Sequence, residues 1–448
     1  TSDAHPSRRK GSECAAFHRA DVCGAIHHAT HEHEQPYAPP MMAEPVTGLV
    51  LTGGGARAAY QVGVLKAIAQ IRRESDAPRG NPFPVIAGTS AGAINSTALA
   101  CHSHDFAAAV RRPAYVWRLF HAAQAYRADS TGVPRAGAGW LTMMSIGWVI
   151  ARWRRARPRS LLDNRPLETL LARLIDTDCL PQRMADGHLQ ALAVTASSYG
   201  SGMHVTFYDA VKHIVPWTRS QRLAVRGRIT AQHLMATSAI PFVFPAASLE
   251  IEGHSEYFGD GSMRQSAPIS PAVHLGAQRT LVTGPGRMQE PPGVRAGSSE
   301  YPSLAQIAGH ALSNIFLDAL AVDVERLQRI NSTLSLLPPE ARSSTSLRPI
   351  DVLLIAPSQR IDDIAARHIG NLPAAVRALL RGVGVSGRGD EARGAALASY
   401  LLFEAPFTRE LIALGEADTM ARRDEVLAFF GWRPRASTGV REAEVLAA

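Results

Sequence analysis

The sequence predicts an α/β fold in three layers, with helices on both faces of a mostly parallel β-sheet. Three observations support this prediction. From residue 48 onward, short apolar runs alternate with longer segments of helical periodicity. Glycine-rich turns join the first two runs to the helical segments that follow them. Apolar residues make up 46% of the chain and charged residues 19%, which is the balance of a folded globular domain. A repeated order of strand, turn and helix is typical of parallel sheets.

Six apolar runs are the predicted strands, because each has the length of a buried strand and ends at turn residues. The first two are followed by the helical patterns AAYQVGVLKAIAQI and AGAINSTALA. The runs are GLVLT at 48–52, FPVIAG at 83–88, LQALAVTAS at 189–197, MHVTFYD at 203–209, TLVTG at 280–284 and IDVLLIAPS at 350–358.

Composition divides the chain into four parts. Residues 1–44 are polar, rich in histidine and without periodicity, so we expect a disordered leader. Residues 45–285 hold five of the six predicted strands and form the core domain. A linker rich in proline, glycine and serine at 286–302 leads to a mainly helical C-terminal subdomain at 303–448. The one strand predicted in that subdomain is expected to join the main sheet.

Cysteine content and hydropathy bear on the compartment. Cys14, Cys23, Cys101 and Cys179 are too few and too scattered for a secreted disulfide framework. We therefore expect free thiols and a cytoplasmic protein with access to the inner face of the membrane. No run reaches about 18 consecutive apolar residues and no basic-then-apolar signal opens the chain, so no membrane-spanning helix is expected.

The formal net charge of +8 is concentrated in one segment. Between positions 111 and 160 stand ten arginines and a single acid, Asp129. The rest of the chain is close to neutral. We therefore expect one local basic surface that attracts an anionic partner.

Residues 139–160 of that segment combine tryptophans and other apolar residues with a run of arginines. Such a wedge can enter the headgroup boundary of a bilayer while the arginines bind lipid phosphates. A buried helix with a solvated basic end fits the pattern equally well. Arginine clusters also bind nucleic acid, but no nucleic-acid-binding module accompanies this one. The candidates for membrane contact are Trp140, Trp148, Arg152, Trp153, Arg154 and Arg155.

The motif GTSAG at 88–92 has the G-x-S-x-G form of a nucleophile elbow, in which a serine stands on a sharp turn between a strand and a helix. The apolar run before it and the helical pattern after it supply that context. Gly88 and Gly92 leave room beside the serine, and the helix directs its amides toward a developing anion. Ser90 is therefore the candidate nucleophile.

A serine nucleophile also requires donors for the oxyanion that it creates. In LTGGGARAAY, Gly53, Gly54 and Gly55 lie between a predicted strand and a helix. Bare backbone amides there can converge on a substrate oxygen. Arg57 adds a positive charge beside them.

The same glycines allow a second interpretation. Gly53, Gly55 and Ala58 match a dinucleotide-binding fingerprint that follows a strand and opens a helix, and Glu74 lies about 20 residues further on. This alternative is a nucleotide-binding oxidoreductase of the Rossmann type. It leaves GTSAG without a purpose, whereas acyl transfer uses both motifs in one site.

Three motifs together make the chain similar to the patatin-like phospholipase family, in its bacterial form. They are GGGAR at 53–57, GTSAG at 88–92 and the pair Asp260-Gly261 in YFGDGSMRQSAP. The stretch ATSAIPFVFP at 236–245 also resembles the family's residues before the aspartate strand. The similarity extends over roughly 46–285 and implies a patatin-like three-layer core.

The resemblance implies a catalytic dyad of Ser90 and Asp260 that needs neither histidine nor cofactor nor metal. The serine attacks, the aspartate accepts its proton, and the amides of Gly53, Gly54, Gly55 and Ala56 hold the oxyanion. The implied substrates are acyl esters of phospholipids, lysophospholipids or neutral lipids. Three positions depart from the family pattern without removing a backbone donor, and these are Thr52, Ala58 and Ser262.

Two alternatives to an active dyad remain open. An aspartate followed by glycine is a frequent turn, so Asp260 takes its importance only from the accompanying motifs. A conventional triad would use a downstream histidine, for which His274, His310 and His368 are available. A catalytically silent protein that binds lipid would keep the fold without the chemistry.

Overall fold

A computed structural model of the chain describes residues 45–127, 160–251, 253–284, 286–288, 301–387 and 394–435. All of these residues belong to one compact unit. The predicted leader, most of the predicted linker and the tryptophan- and arginine-rich segment up to residue 159 lie outside the described residues. Within the described part, the predicted α/β fold with a mostly parallel sheet and a helical C-terminal region is confirmed.

The described strands form one sheet and include all six predicted runs. In chain order they are β1 (Thr47–Leu51), β2 (Val85–Thr89), β3 (Ala191–Ser198), β4 (His204–Ala210), β5 (Thr218–Arg219), β6 (Arg222–Arg226), β7 (Ala247–Ile251), β8 (His254–Asp260), β9 (Arg279–Thr283) and β10 (Asp351–Ile355).

The order of strands across the sheet is β10-β9-β1-β2-β3-β4-β6-β5, and β7 and β8 form a hairpin that attaches through β8 to β3. The five strands from β10 to β3 run parallel to one another. Parallel neighbours require crossover helices, which explains why helices separate β1, β2 and β3 in the sequence. The strands β4 and β8 pair with β3 in the antiparallel direction.

The helices cover the two faces of this sheet. In chain order the described α-helices are α1 (Ala59–Arg73), α2 (Ala91–Cys101), α3 (Phe106–Arg118), α4 (Ala122–Ala125), α5 (Arg165–Leu174), α6 (Leu180–Ala185), α7 (Ala231–Thr237), α8 (Ser270–His274), α9 (Leu304–Ser313), α10 (Ala319–Leu336), α11 (Pro339–Ser343), α12 (Ile361–His368), α13 (Ala374–Gly382), α14 (Ala395–Leu401), α15 (Ala405–Ala421) and α16 (Arg423–Phe430).

Alternation along β1 explains the three layers. Leu49 and Leu51 point into a large apolar core that includes residues of α1, α2, α3 and α15. Val50 points to the other face, where Leu320 and Val324 of α10 pack together with residues of α8. Successive side chains of a strand face opposite sides of a sheet, so a fully apolar run such as GLVLT must be covered by helices on both faces.

The strands that the sequence did not predict are β5 to β8. They are partly exposed and mostly antiparallel, and their residues do not form continuous apolar runs. One of them, β8, ends at Asp260, the residue that the resemblance implies as the base.

The C-terminal residues complete the core. The predicted strand near 350–358 is present as β10 and pairs with β9 in parallel register. The helix α15 lies against α1 at the distance that two glycines permit. A Cβ atom at Gly415 would stand 2.2 Å from the carbonyl oxygen of Tyr60, and one at Gly63 would stand 2.1 Å from that of Ile412. The two backbones are therefore in direct contact.

The predicted long helix after residue 303 is present as α9 and α10, joined without a break by a π-helical turn at Asn314–Asp318. Among the described residues, the stretch Leu304–Leu336 has the length and the apolar composition of a helix that can cross a membrane. Core helices of globular proteins often meet the same two criteria, so length and composition alone do not identify a membrane-spanning helix. Ala305, Phe316 and Leu320 of this stretch are buried against the rest of the protein.

The contact between α1 and α15 predicts a large effect of one methyl group. Gly415→Ala should lower the free energy of unfolding by about 1–3 kcal/mol, because the new Cβ must push the two helices apart. Gly382→Ala is the matched control, since it also adds a methyl to a helix but meets no atom within 4 Å. Urea denaturation of both variants measures the difference. Equal stability of the two variants would show that the helices separate without cost.

Candidate active site

Ser90 stands on a tight turn between β2 and α2. Its backbone adopts φ 55° and ψ −133°, a left-handed conformation that non-glycine residues rarely accept. Gly88 and Gly92, on either side of Ser90, have no room for a side chain. A Cβ at Gly92 would lie 2.2 Å from the carbonyl oxygen of Leu51, and one at Gly88 would lie 2.6 Å from the Cα of Ala93. The turn therefore passes directly against the end of β1, as a nucleophile elbow does.

Asp260 reaches the serine from the end of β8. The hydroxyl of Ser90 donates a hydrogen bond of 2.5 Å to Oδ2 of Asp260, and the backbone amide of Ser262 donates to Oδ1 at 2.9 Å. Pairing of Asp260 with Ala196 of β3 fixes the backbone at this point. A Cβ at Gly261 would lie 2.2 Å from the carbonyl oxygen of Thr195, so the chain after the aspartate must begin with glycine.

Burial changes the acidity of this carboxyl group. The side chain of Asp260 has no exposed surface, and loss of hydration raises its pKa to about 6. The hydrogen bonds from Ser90 and Ser262 act in the opposite direction and favour the ionised form. A carboxylate with this pKa is ionised at pH 7 and is a stronger base than an exposed aspartate.

Hydrogen bonds with neighbouring threonines stabilise the turn that carries Ser90. The backbone amide of Ser90 donates a 2.7 Å hydrogen bond to Oγ1 of Thr237, whose hydroxyl donates in turn to the carbonyl oxygen of Thr195. The hydroxyls of Thr89 and Thr195 are 2.6 Å apart, and Nε2 of Gln265 donates to Thr89. Sequence reasoning missed these supports, because single threonines and a glutamine at separate places in the chain carry no motif.

The glycine loop at 53–55 lies beside the elbow, and Gly55 and Ser90 line the same cavity. Gly55 has φ 55° and begins a 3₁₀ turn, Gly55–Ala58, that leads into α1. The loop has no room for side chains. A Cβ at Gly53 would lie 2.8 Å from the ring of Phe316, and one at Gly55 would lie 2.4 Å from the carbonyl oxygen of Tyr400. Residues of α14 and of the π-helical turn thus cover this loop.

Arg57 does not point into the cavity beside Ser90. Its guanidinium forms a 2.5 Å ion pair with Asp362 and donates a 2.7 Å hydrogen bond to Ser399. It also lies 4.0 Å from the centre of the Tyr400 ring, and that ring stacks on Phe316. The side chain of Arg57 is only 3% exposed. Its contacts therefore tie the glycine loop to α12 and α14.

A chain of amide hydrogen bonds supports the loop from the other side. The indole of Trp117 donates to Asn95, Asn95 donates to Gln61, and Gln61 donates to the carbonyl oxygen of Thr52, at 2.9, 3.0 and 2.7 Å. This chain links α3, α2, α1 and the end of β1. In the sequence, its only trace is an asparagine and a glutamine within two helical patterns, and both side chains are buried in the structure.

A cavity of about 430 Å³ opens from Ser90 and follows one face of α2. Its wall includes Ser90, Ile94, Ala98 and His102, which lie on successive turns of that helix. Apolar side chains of α3, α5 and the 240–244 stretch supply most of the remaining lining. Ser90 thus lines a mainly apolar space that extends along α2.

The predicted histidine alternatives lie elsewhere. His274 stacks on the ring of Trp217 at 4.5 Å, His368 pairs with Glu410 at 2.6 Å, and His310 is exposed on α9. The acid of the dinucleotide interpretation, Glu74, pairs with Arg423 at the end of α1. The hydroxyl of Ser90 is instead bonded to Asp260, so the structure brings together the two residues that the resemblance paired.

The membrane-contact candidates Trp140, Trp148, Arg152, Trp153, Arg154 and Arg155 lie outside the described residues. Of the four cysteines, Cys101 and Cys179 are described and both are free thiols.

Comparison with known proteins identifies relatives of the chain. A model of the patatin-like phospholipase family matches residues 49–273, which is half of the chain and includes all the site residues described above from β1 to β8. No match to a curated protein was found.

Several solved structures are similar at low identity. Human GIVD cytosolic phospholipase A2 in complex with methyl γ-linolenyl fluorophosphonate is 12% identical, with a TM-score of 0.39, and the match covers 86% of this chain and 59% of the human chain. ExoU of Pseudomonas aeruginosa in complex with SpcU is 15% identical, with a TM-score of 0.23, and covers 86% and 76%. The chain thus spans about 59% of the length of the human enzyme.

Burial of Asp260 predicts that the wild-type site costs stability. The pKa of Asp260 rises from 3.8 to about 6 on folding, so the folded protein holds its proton to higher pH than the unfolded chain does. Relative to the ionised group, the protonated carboxyl of Asp260 stabilises the folded protein. This stabilisation is fully present below about pH 4 and is lost as pH rises through about 6. At 1.36 kcal/mol per pKa unit, the ionised carboxylate costs about 3 kcal/mol at pH 7.

Asp260→Asn should therefore be more stable than wild type at pH 7, and the difference should narrow as pH falls toward 4. Urea denaturation across this range measures it, with Asp209→Asn as a control for a partly buried acid at another position. A variant that is less stable than wild type at pH 7 would mean that the hydrogen bonds of Asp260 outweigh its desolvation.

Proposed function

The chain belongs to the patatin-like phospholipase family, and from this premise we propose that it hydrolyses acyl ester bonds of membrane lipids with Ser90 as nucleophile and Asp260 as general base. One observation carries the proposal. The hydroxyl of Ser90 is hydrogen-bonded to a buried carboxylate, and Ser90 lines a mainly apolar cavity.

The first half of the reaction forms an acyl-enzyme. Oγ of Ser90 attacks the ester carbonyl carbon while its proton passes to Oδ2 of Asp260. The carbonyl oxygen becomes an anion, which the amides of the glycine loop at 53–56 and the N-terminus of α2 stabilise. Collapse of this intermediate breaks the bond to the alcohol, and Asp260 returns the proton to the departing oxygen.

The second half restores the enzyme. A water molecule attacks the acyl carbon and gives its proton to Asp260, and a second oxyanion forms at the same amides. Breakage of the bond to Oγ releases the fatty acid, and the proton returns to Ser90. The aspartate therefore acts as base and acid in turn. A pKa of about 6 suits both roles near neutral pH.

The cavity favours a single unbranched acyl chain as the group that is transferred. From Ser90 to His102 the helix α2 rises about 18 Å at 1.5 Å per residue. A carbon–carbon bond of about 1.5 Å advances an extended hydrocarbon by roughly 1.25 Å, so about 14 bonds, or about 15 carbons, span this distance. The apolar wall can bury such a chain, which supplies the binding energy that positions the ester at Ser90.

Wild type should hydrolyse esters of long-chain fatty acids in phospholipids, lysophospholipids or neutral lipids, and Ser90→Ala should abolish this activity without loss of structure. Alanine removes only the oxygen that attacks. Ser96→Ala is the matched control, because Ser96 is buried on the same helix but its hydroxyl approaches the carbonyl of Ala87, 3.4 Å away. Release of fatty acid from a lipid panel and circular dichroism together measure the outcome.

Asp260→Asn in the same assay should lower turnover by about 10²- to 10⁴-fold, the usual cost of losing a general base. Hydrolysis by folded Ser90→Ala at the wild-type rate would overturn the proposal. A wild-type protein that binds lipid but releases no fatty acid would indicate a silent lipid-binding protein. A wild-type protein that binds a nicotinamide nucleotide and releases no fatty acid would support the oxidoreductase alternative.

A further inference from the structure

The exposed face of α3 carries an unusual combination of side chains. Arg111, Arg112, Tyr115 and Arg118 lie on successive turns of the helix, Leu119 directly follows its last residue, and all five are exposed. Tyr115 is 69% and Leu119 is 47% exposed. We call these five residues the α3 stripe.

Charge on this helix has one sign. Between Phe106 and Arg118 there are three arginines and no acidic residue. The nearest acid in the sequence, Asp105, serves as the N-cap and accepts a hydrogen bond from the amide of Ala108. The α3 stripe thus presents arginines interleaved with an aromatic and an aliphatic side chain.

The opposite face of α3 is already occupied. Phe106, Val110 and Trp117 are buried in the main core, and Trp117 is fixed by its hydrogen bond to Asn95. The apolar residues of the α3 stripe therefore do not belong to that packing. They are exposed while the helix that carries them is held rigidly.

The α3 stripe borders the opening of the cavity that leads to Ser90. Arg111, Arg112 and Tyr115 line this cavity and are exposed, so they stand where it meets solvent. Leu174, at the end of α5, is also both lining and 45% exposed. Its neighbour Arg173 is exposed as well. The opening thus lies between α3 and α5, with basic and apolar side chains around it.

We propose that the α3 stripe and the end of α5 form a docking surface for an anionic lipid bilayer, so that an acyl chain passes from the bilayer directly into the cavity. This inference rests on the proposed function. Arginines bind phosphates of the headgroups, while Tyr115, Leu119 and Leu174 enter the interfacial layer. Transfer of an acyl chain out of a bilayer costs little free energy only if its path stays apolar. Here apolar side chains line the cavity from its opening to Ser90.

Charge removal outside the cavity tests the docking surface. Arg118→Gln/Arg173→Gln should bind vesicles of phosphatidylcholine and phosphatidylglycerol about 30-fold more weakly than wild type, since each arginine near such a surface contributes about a fivefold gain. Neither residue lines the cavity. Lys212→Gln/Arg228→Gln is the matched control, because it removes two exposed cations after β4 and β6 and should bind as wild type does. Sedimentation with vesicles measures binding.

Insertion of the apolar residues gives an independent readout. In Leu119→Trp, brominated lipids should quench the added fluorescence, whereas the added tryptophan of Val215→Trp, at a 72% exposed position elsewhere, should stay unquenched. Equal quenching of both, or wild-type vesicle binding by Arg118→Gln/Arg173→Gln, would overturn the docking surface. Loss of binding to a nucleic acid or an acidic protein in this double variant, with vesicle binding as in wild type, would assign the surface to another partner.

Hydrolysis of a soluble short-chain ester separates this inference from the proposed function. Arg118→Gln/Arg173→Gln should cleave such an ester at the wild-type rate, because the dyad is untouched, but should cleave vesicle lipids about 30-fold more slowly. If wild type cleaves no ester yet its vesicle binding depends on these arginines, the proposed function fails and the docking surface stands. Parallel loss on both substrates would place the arginines in the fold.

Discussion

The contact between the hydroxyl of Ser90 and the carboxylate of Asp260 constrains most of what surrounds it. An ionised carboxylate away from water is unfavourable, and only fixed donors offset the loss of hydration. Here the amide of Ser262 and the serine itself provide them. Both donors depend on an uncommon backbone arrangement. Ser90 has a positive φ, and the residue after Asp260 must be glycine because a Cβ there would clash with β3. The close passage of β1, β3 and the hairpin of β7 and β8 follows from these demands.

The second constraint comes from the far end of the chain. The glycine loop is covered by Phe316 and Tyr400, and Arg57 reaches Asp362 and Ser399. These partners lie more than 250 residues from the loop in sequence. A loop without side chains has many accessible conformations, so contacts from α12, α14 and the π-helical turn select one of them. The C-terminal region therefore completes the site and does not merely follow it.

Sequence alone identified the parts of this site that depend on local geometry. A serine between glycines, at the junction of a strand and a helix, has few other uses, and continuous apolar runs predicted the central strands. Asp260 required the resemblance to a family, because an aspartate before glycine is an ordinary turn. The sequence placed the charge of Arg57 beside the oxyanion donors, whereas its partner is Asp362. That pairing and the chain from Trp117 to Thr52 could not be predicted, because both join residues that are distant in sequence and carry no motif.

Activation of Ser90 by Asp260 can be measured with a fluorophosphonate, which requires no knowledge of the natural substrate. The rate of labelling should be followed from pH 4 to pH 8, and the adduct located by peptide mass spectrometry. We expect a single adduct on Ser90, a labelling rate that rises as Asp260 ionises near pH 6, and a strong loss of labelling in Asp260→Asn. An adduct at another residue, or labelling of Asp260→Asn at the wild-type rate, would contradict this activation.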